Sequence, residues 1–240
     1  MSNYSGFAYM YDVLMKDVPY DAWACYIDRV LQRHLSESKG HIVVDLACGT
    51  GNITFPLAGM GWDMIGVDIS VDMLSQAQAK GNGVLFLCQD MRELDLYGTV
   101  DGIICACDGF NYILKEAELA ALFKRIRMFL NPGGVLIFDM NTEYKFKELL
   151  GDKSFVGKGD GASYVWNNSY NPDTGINMYH VEFNPANGRP FEEVHYQRGY
   201  SVETICELLK DAGFGTVDVK DGYTDVVPGE NCPRVVYIAR

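Results

Sequence analysis

The chain carries none of the short signatures of a metal or hydrolytic centre. Its seven cysteines include no Cys-x-x-Cys, its four histidines are scattered without a His-Glu-x-x-His, and no Gly-x-Ser-x-Gly occurs. Zinc binding, thioredoxin-like exchange and the usual hydrolase elbow therefore lose their sequence support, and no metal site is expected. There is no Lys/Arg run either. Twenty basic residues face 32 acidic ones, a net charge of −12. A field of that sign repels polyanions, which excludes general nucleic-acid binding and an anionic membrane surface and favours a cationic or neutral ligand. No apolar run approaches 18 residues, and MSNYSGFAYMYD at the start has no basic or long apolar region. Neither a membrane span nor a signal peptide is expected, which points to the cytoplasm. The cysteines then read as reduced, buried small hydrophobes.

What is present is apolar enough to fold. The 240 residues are 48% hydrophobic and 12% aromatic, which excludes general disorder and suits one domain with an insertion. Trp23, Ile27, Val30 and Leu31 mark a helix over 20–35. Then an alternation begins: strand 41–47, helix 53–61 with Pro56 in its first turn, strand 63–68, and a helix over 71–80 capped by Ser70. Strands follow at 84–90 and 100–107, then a helix over 115–130. Asn131-Pro132-Gly133-Gly134 stops that helix before strand 135–140. The pattern predicts an α/β, Rossmann-like, doubly wound sheet, with ligands bound outside the strands' C-terminal ends. After 150 the composition changes. A Gly/Lys/Asp loop (151–161) precedes strands near 163–169, 176–183 and 191–200, separated by Asn171-Pro172-Asp173-Thr174-Gly175 and Asn184-Pro185-Ala186-Asn187-Gly188. Ser201 caps a further helix, ended by Gly213, and strands 214–220 and 233–239 close the chain. The reading is thus 1–150 plus 201–240 as one cofactor-binding unit, with 151–200 an inserted antiparallel patch.

The densest chemistry lies in Asp45-Leu46-Ala47-Cys48-Gly49-Thr50-Gly51. A strand runs into a turn whose glycines let a ligand approach the backbone, and the turn feeds a helix N-terminus. Thr54 stands where a dinucleotide fingerprint requires Gly or Ala, and no P-loop Lys follows. Asp45 at the mouth repels phosphate and attracts an ammonium or sulfonium, though it can also simply cap the helix. Asp68, 23 residues on, ends the next strand, where an acid can accept both ribose hydroxyls; it can also be an ordinary strand-end acid. Gln89-Asp90-Met91 follow the third strand. Asp90 can accept from an adenine amine beside a backbone N–H, or remain a solvated loop acid. Acceptors for an ammonium, a diol and an amine, in that order, spell S-adenosylmethionine.

With these residues together, the sequence resembles a class I S-adenosylmethionine-dependent methyltransferase, of a small bacterial type with Tyr11-Asp12-Val13-Leu14-Met15 near its start and an antiparallel insertion after strand five. The resemblance covers roughly the whole chain, with Ala47 in place of the family's commoner first glycine. It implies about seven strands with the last, 233–239, antiparallel, and an N-terminal segment folded over the cofactor. Tyr11 and Trp23 would lie beside the cofactor by that resemblance, where an aromatic face suits a sulfonium, or pack between helix and sheet. The expected cofactor-binding set is Tyr11, Trp23, Asp45, Ala47, Cys48, Gly49, Gly51, Asp68, Ile69, Met73, Gln89, Asp90, Met91 and Cys107. Met73 either touches adenine or packs in the core. The fourth strand ends near the transferring methyl, at Cys107-Asp108-Gly109-Phe110-Asn111-Tyr112. It lacks the Asn/Asp-Pro-Pro-Tyr segment of amino-group methylation on bases and amides.

The inserted patch reads as a lid over the acceptor. Glu193, His195 and Gln197 share one face of a strand, and Val194, Tyr196, Arg198 and Tyr200 the other. Either set can face the cleft, or both can serve cross-strand pairing. Asp108, Asn111, His195 and Arg198 are the acceptor-side candidates. The expected activity is in-line methyl transfer to an N or O nucleophile of a small molecule, by a monomer or homodimer. The rivals are a nucleotide-dependent oxidoreductase and a non-catalytic module binding the same cofactor.

Overall fold

A computed structural model describes residues 8, 11–12, 15–35, 40–81, 83–159, 162–185 and 189–240. Expectations about most of the first fourteen residues, Val13 and Leu14 among them, about 160–161, and about turn residues 186–188 lie outside that set.

A seven-stranded sheet forms the frame. Helix α1 (Tyr20–His34) precedes β1 (Ile42–Leu46), α2 (Thr54–Gly59), β2 (Asp63–Asp68), α3 (Val71–Lys80), β3 (Leu85–Cys88), β4 (Val100–Cys105), α4 (Glu116–Phe129) and β5 (Leu130–Asn141). After the lid come α5 (Val202–Asp211), β10 (Val217–Asp221) and β11 (Arg234–Ala239). The order across the sheet is β10-β11-β5-β4-β1-β2-β3. Strands β1 to β5 run parallel, and β11 is antiparallel to both β5 and β10. The order reverses between β1 and β4, so their C-terminal ends flank the crevice where such sheets bind ligands.

Period-two alternation divides the core. Val44, Ile103, Leu136 and Phe138 face α4 and α5, while Val43, Ile104, Val135 and Ile137 face α1. Both faces are covered, which is why these strands read as continuous apolar runs. Phe138 is nearly inaccessible and stacks on Tyr237 with centroids 4.8 Å apart. The expected caps form: Ser70 accepts from Met73 N at 3.2 Å and Ser201 from Thr204 N at 3.1 Å. Pro56 sits in the first turn of α2, where no helical N–H is lost.

Two elements depart from expectation. Asn131–Gly134 is a bulge within β5, since Val100 pairs with Leu130 and Gly102 with Val135. A Cβ on Gly134 would lie 2.9 Å from Asp101 O, so only glycine lets the bulge close. The loop expected over 151–161 contains an edge strand, β6 (Ser154–Gly159), which completes a second sheet with β7 (Ala162–Asn171), β8 (Ile176–Pro185) and β9 (Phe191–Arg198). Its glycines and lysine suggested a loop, but an edge strand needs only one hydrogen-bonded partner. On Gly157 a Cβ would meet the Tyr164 ring at 2.3 Å, so the glycine makes room for that side chain. Not all cysteines are buried: Cys25 and Cys88 are exposed, and all seven are free. Among the described residues no helix is long and apolar enough to cross a membrane.

Truncating Phe138 to Ala should remove about 3–5 kcal/mol of stability, and Ser201→Ala about 1 kcal/mol. Urea unfolding checks both. Equal losses at the two positions would contradict this account of the core.

Candidate functional site

The crevice is built by backbone that L-residues resist. Ala47, Cys107 and Asp108 have φ of 55°, 59° and 54°, and they are the non-glycine residues with left-handed φ among those described. Ala47 and Cys107 line one cavity of about 30 Å³, and Asp108 follows directly. Such strain persists where surrounding structure over-determines it, and it concentrates at ligand sites. Gly49 (φ 54°) and Gly51 (φ 81°) complete the turn, and a Cβ on Gly49 would enter open space.

Two carboxylates flank this turn. Asp45 is 2% exposed and accepts from Thr54 Oγ1 at 2.6 Å. Thr54, read in the sequence only as breaking a fingerprint, is therefore the anchor of Asp45. Asp68 accepts from Gly49 N and Ser70 N, both at 2.8 Å. Burial, with Asp68 nearby, pushes Asp45 up to about 7 despite the Thr54 bond. Burial also raises Asp68, against the pull of its two N–H donors. A buried acid, Asp45, beside a half-buried one, Asp68, with no cationic side chain bonded to either among the described residues, fits a positively charged ligand. Each Asp68 oxygen holds one backbone donor and keeps lone pairs for a diol.

Aromatic rings close the cavity. Tyr11 and Tyr20 line it with Asn52, Ile53 and Ala106. Tyr20 Oη is shielded from solvent yet makes no hydrogen bond of proper geometry. Next to Tyr11, Asp12 accepts from Thr50 Oγ1 (2.6 Å) and Asn52 Nδ2 (2.9 Å) and pairs with Lys80 Nζ (2.6 Å). The first described turn is thereby fastened to the glycine loop.

Other expected residues sit differently. Gln89 N donates to Asp68 O, so the third strand end does adjoin Asp68. Ile69 beside it is 60% exposed, whereas Met73 is buried and Met91 packs on the core. Asp90 is an ion-pair partner: both its oxygens accept from the Arg92 guanidinium, which holds Asp90 below the usual carboxylate range. Trp23 does not line the cavity. It stacks on Tyr223 at 4.5 Å, with Arg234 5.1 Å from its ring, because α1 turns that face toward β11.

The acceptor-side candidates divide. Asp108 bonds Arg234 Nη2 at 2.7 Å through Oδ1 and Gln197 Nε2 at 2.6 Å through Oδ2. Arg234 also pairs with Asp139, which takes Tyr223 Oη at 2.5 Å. Burial would raise Asp108, but Arg234 and Lys145 hold it below the usual range. Asn111 is a structural clamp: Nδ2 donates to Asn141 O and Arg198 O, and Oδ1 accepts from Asn141 N. Arg198 is likewise drawn away, donating to Leu114 O at 3.0 Å with its guanidinium over Tyr200. Its Nε, by contrast, is shielded from solvent and has no hydrogen-bond partner. His195 shares the buried lid face with Glu193 and Gln197, edge-on to Tyr112 at 5.9 Å. Burial lowers its pKa. Sequence reasoning missed Arg234, Asp139 and Tyr223. Arg234's partners are 95 and 126 residues away, and no local pattern announces them. Among the described residues no His/Cys/Asp/Glu group could hold a metal.

Comparison with known proteins adds context. A family model described as a methyltransferase domain matches residues 43–134. The chain is 36% identical over 244 residues to "Putative methyltransferase YqeM" of Bacillus subtilis (strain 168), covering 99% of this chain and 96% of that one. It is 28% identical over 141 residues to dTDP-3-amino-3,6-dideoxy-alpha-D-glucopyranose N,N-dimethyltransferase of Streptomyces fradiae, covering 58% and 54%. The crystal structure of an S-adenosylmethionine-dependent methyltransferase from Clostridium acetobutylicum ATCC 824 superposes with a TM-score of 0.88 at 31% identity, covering 100% and 99%.

Replacing Arg234 by Met removes the guanidinium that Asp108 and Asp139 share and leaves Lys145 as the remaining nearby cation. The expected loss is about 3–5 kcal/mol in urea unfolding. Adding Asp139→Asn to that variant should restore part of it; a variant as stable as the parent would remove Arg234 from its structural role.

Proposed function

The chain belongs to the class I S-adenosylmethionine-dependent methyltransferases, and on that premise we propose that its acceptor is a small molecule methylated on nitrogen or oxygen. Membership makes it an enzyme with S-adenosylmethionine as methyl donor and displaces the oxidoreductase and non-catalytic readings. When bound, the cofactor supplies a methyl on positively charged sulfur and leaves as a neutral thioether. The protein's share is to align the partners and exclude water.

The observation that supports the cofactor placement is the buried Asp45 beside the half-buried Asp68, neither bonded to a cationic side chain among the described residues. Asp45 accepts the ammonium of the amino-acid part, and Asp68 takes the ribose hydroxyls. Gly49 and Gly51 leave the backbone open, while Tyr11 and Tyr20 shield the sulfonium side. Cys107 borders the methionine part at the β4 end. Ile69 and the Gln89–Met91 turn flank the adenine, with Asp90 sharing its charge with Arg92. Residues 1–150 and 201–240 hold the cofactor, and 151–200 cover the acceptor. The lid's buried face carries Glu193, His195 and Gln197, a polar lining that suits a nucleophile-bearing small molecule. The Streptomyces fradiae relative, named for an amino sugar, supports nitrogen as the acceptor atom. No buried, unpaired general base lies at Cys107–Asp108, since Asp108 is held ionised by Arg234. An amine that enters neutral needs none.

Calorimetry with S-adenosylhomocysteine, which keeps the ammonium, tests this. Because Asp45 must ionise to receive the ligand and titrates near 7 in the free protein, affinity should rise with pH and level off above about 7.5. The slope approaches tenfold per pH unit below the pKa, and binding near pH 6.5 should release a proton. The sign for stability is opposite: a folded pKa above the unfolded one means that ionising Asp45 costs stability as pH climbs to 7. Asp45→Asn should flatten the affinity profile. Asp68→Ala should weaken binding by about 1–3 kcal/mol. An unchanged pH profile in Asp45→Asn would sink the assignment.

A further inference from the structure

The lid's inward face holds polar atoms that the protein does not answer. Glu193 is 5% exposed, and its Oε1 has no hydrogen-bond partner. Val181 lies directly opposite Glu193, and Trp166 directly opposite Val181. Opposed residues of antiparallel strands project from the same face, so the three form one row, about 10 Å from end to end. Trp166 Nε1, at the other end, is also cut off from solvent and unpartnered. An unanswered acceptor and an unanswered donor thus share one face. Native proteins leave few such atoms, and each calls for an explanation.

The position of the row supplies one. Along β9 the same face passes through His195 to Gln197, about 13 Å from Glu193. There Gln197 donates to Asp108, beside Cys107 in the cavity wall. The row therefore stands one small-molecule length from the methyl-transfer end. Tyr179, 5.4 Å from the Trp166 ring centroid to centroid, packs with Trp166 and Val181 on Phe146 and Leu150, which wall one side of the row. Burial is the cause that pushes Glu193 up to about 7, with no cationic side chain offsetting it.

We propose that Glu193 and Trp166 form the distal half of the acceptor site and hold a small amine that also carries a hydroxyl or carbonyl oxygen. Glu193 receives the ammonium, Trp166 Nε1 donates to the oxygen, and the ring faces favour the cation. The nucleophile is a separate neutral amine or hydroxyl at the molecule's other end, which extends toward Asp108 and Cys107 while the ammonium stays on Glu193. This inference rests on the methyltransferase reading and names the acceptor class for that site.

The test uses the full chain saturated with S-adenosylhomocysteine. Thermal unfolding is followed against a panel of amino alcohols, aliphatic diamines and the carboxylic acids of matching length. Binding of S-adenosylhomocysteine is read first, and its failure would count against the cofactor placement alone. Amines should raise Tm and the matched acids should not. Glu193→Gln should weaken amine binding at least about tenfold and leave S-adenosylhomocysteine affinity unchanged. Trp166→Phe should weaken the amino alcohols more than the diamines. Without any added amine, Glu193→Gln should raise Tm at about pH 8, because it removes an uncompensated buried charge. The proposal is overturned if Glu193→Gln lowers Tm, if the acids stabilise as well as the amines, or if no amine stabilises the complex.

Discussion

Asp45 and Asp68 stand on either side of a glycine turn, Asp45 buried and Asp68 half-buried, and the nearby Asp68 adds to the burial that raises Asp45. The protein holds them there by short bonds to Thr54, Gly49 and Ser70, and none of these donors carries a formal charge. The frustration is local and directed, because only a ligand with positive charge relieves it. That constraint explains why the strand must break into left-handed residues at Ala47 and why the next helix must begin with a hydroxyl. The chain thus keeps part of its folding free energy available for binding.

A few ångströms along the same crevice, the opposite solution is found. Asp108 and Asp139 share Arg234, and the ion cluster is closed by Tyr223, Gln197 and the Trp23 ring. Here the charge is answered by the protein itself, so this cluster is a joint and not a receptor. It ties the lid to β4, β5 and β11. Gln197 is its only bond from the lid among the described residues, and Tyr179 steadies Gln197 from the neighbouring strand. One half of the crevice holds carboxylates answered by uncharged donors, and the other holds carboxylates answered by Arg234, which joins the four-stranded sheet to the larger one through Gln197.

Legibility followed the range of the interactions. The sheet could be read because its strands are buried on both faces and two of its helices begin at a serine cap. The glycine turn and Asp68 could be read because the chemistry falls at successive strand ends. β6 could not, since an edge strand facing few neighbours has no apolar signature. For Trp23 the resemblance offered a place beside the cofactor and its position offered packing between helix and sheet; the contacts it makes, to Tyr223 and Arg234, come from the far end of the chain. Asn111 and Arg198 have the right chemistry for a substrate contact, and in the structure both also donate to backbone carbonyls, with Arg198 Nε left unpartnered. Cys25 and Cys88 sit in apolar stretches, yet each falls on the outward side of its element.

By itself the sequence determined the alternation of strands and helices, the turn that must stay open, and the order of acids along one sheet edge. Those properties depend on local backbone preference and on periodicity, which neighbouring residues fully specify. Only the tertiary structure decided which acids meet a cation of the protein and which stay without one. Arg234 reaches Asp108 across 126 positions of chain, and among the described residues no such contact reaches Asp45. Charge pairing over that separation is a matter of where the last strand lands, and that is settled by the packing of the whole sheet.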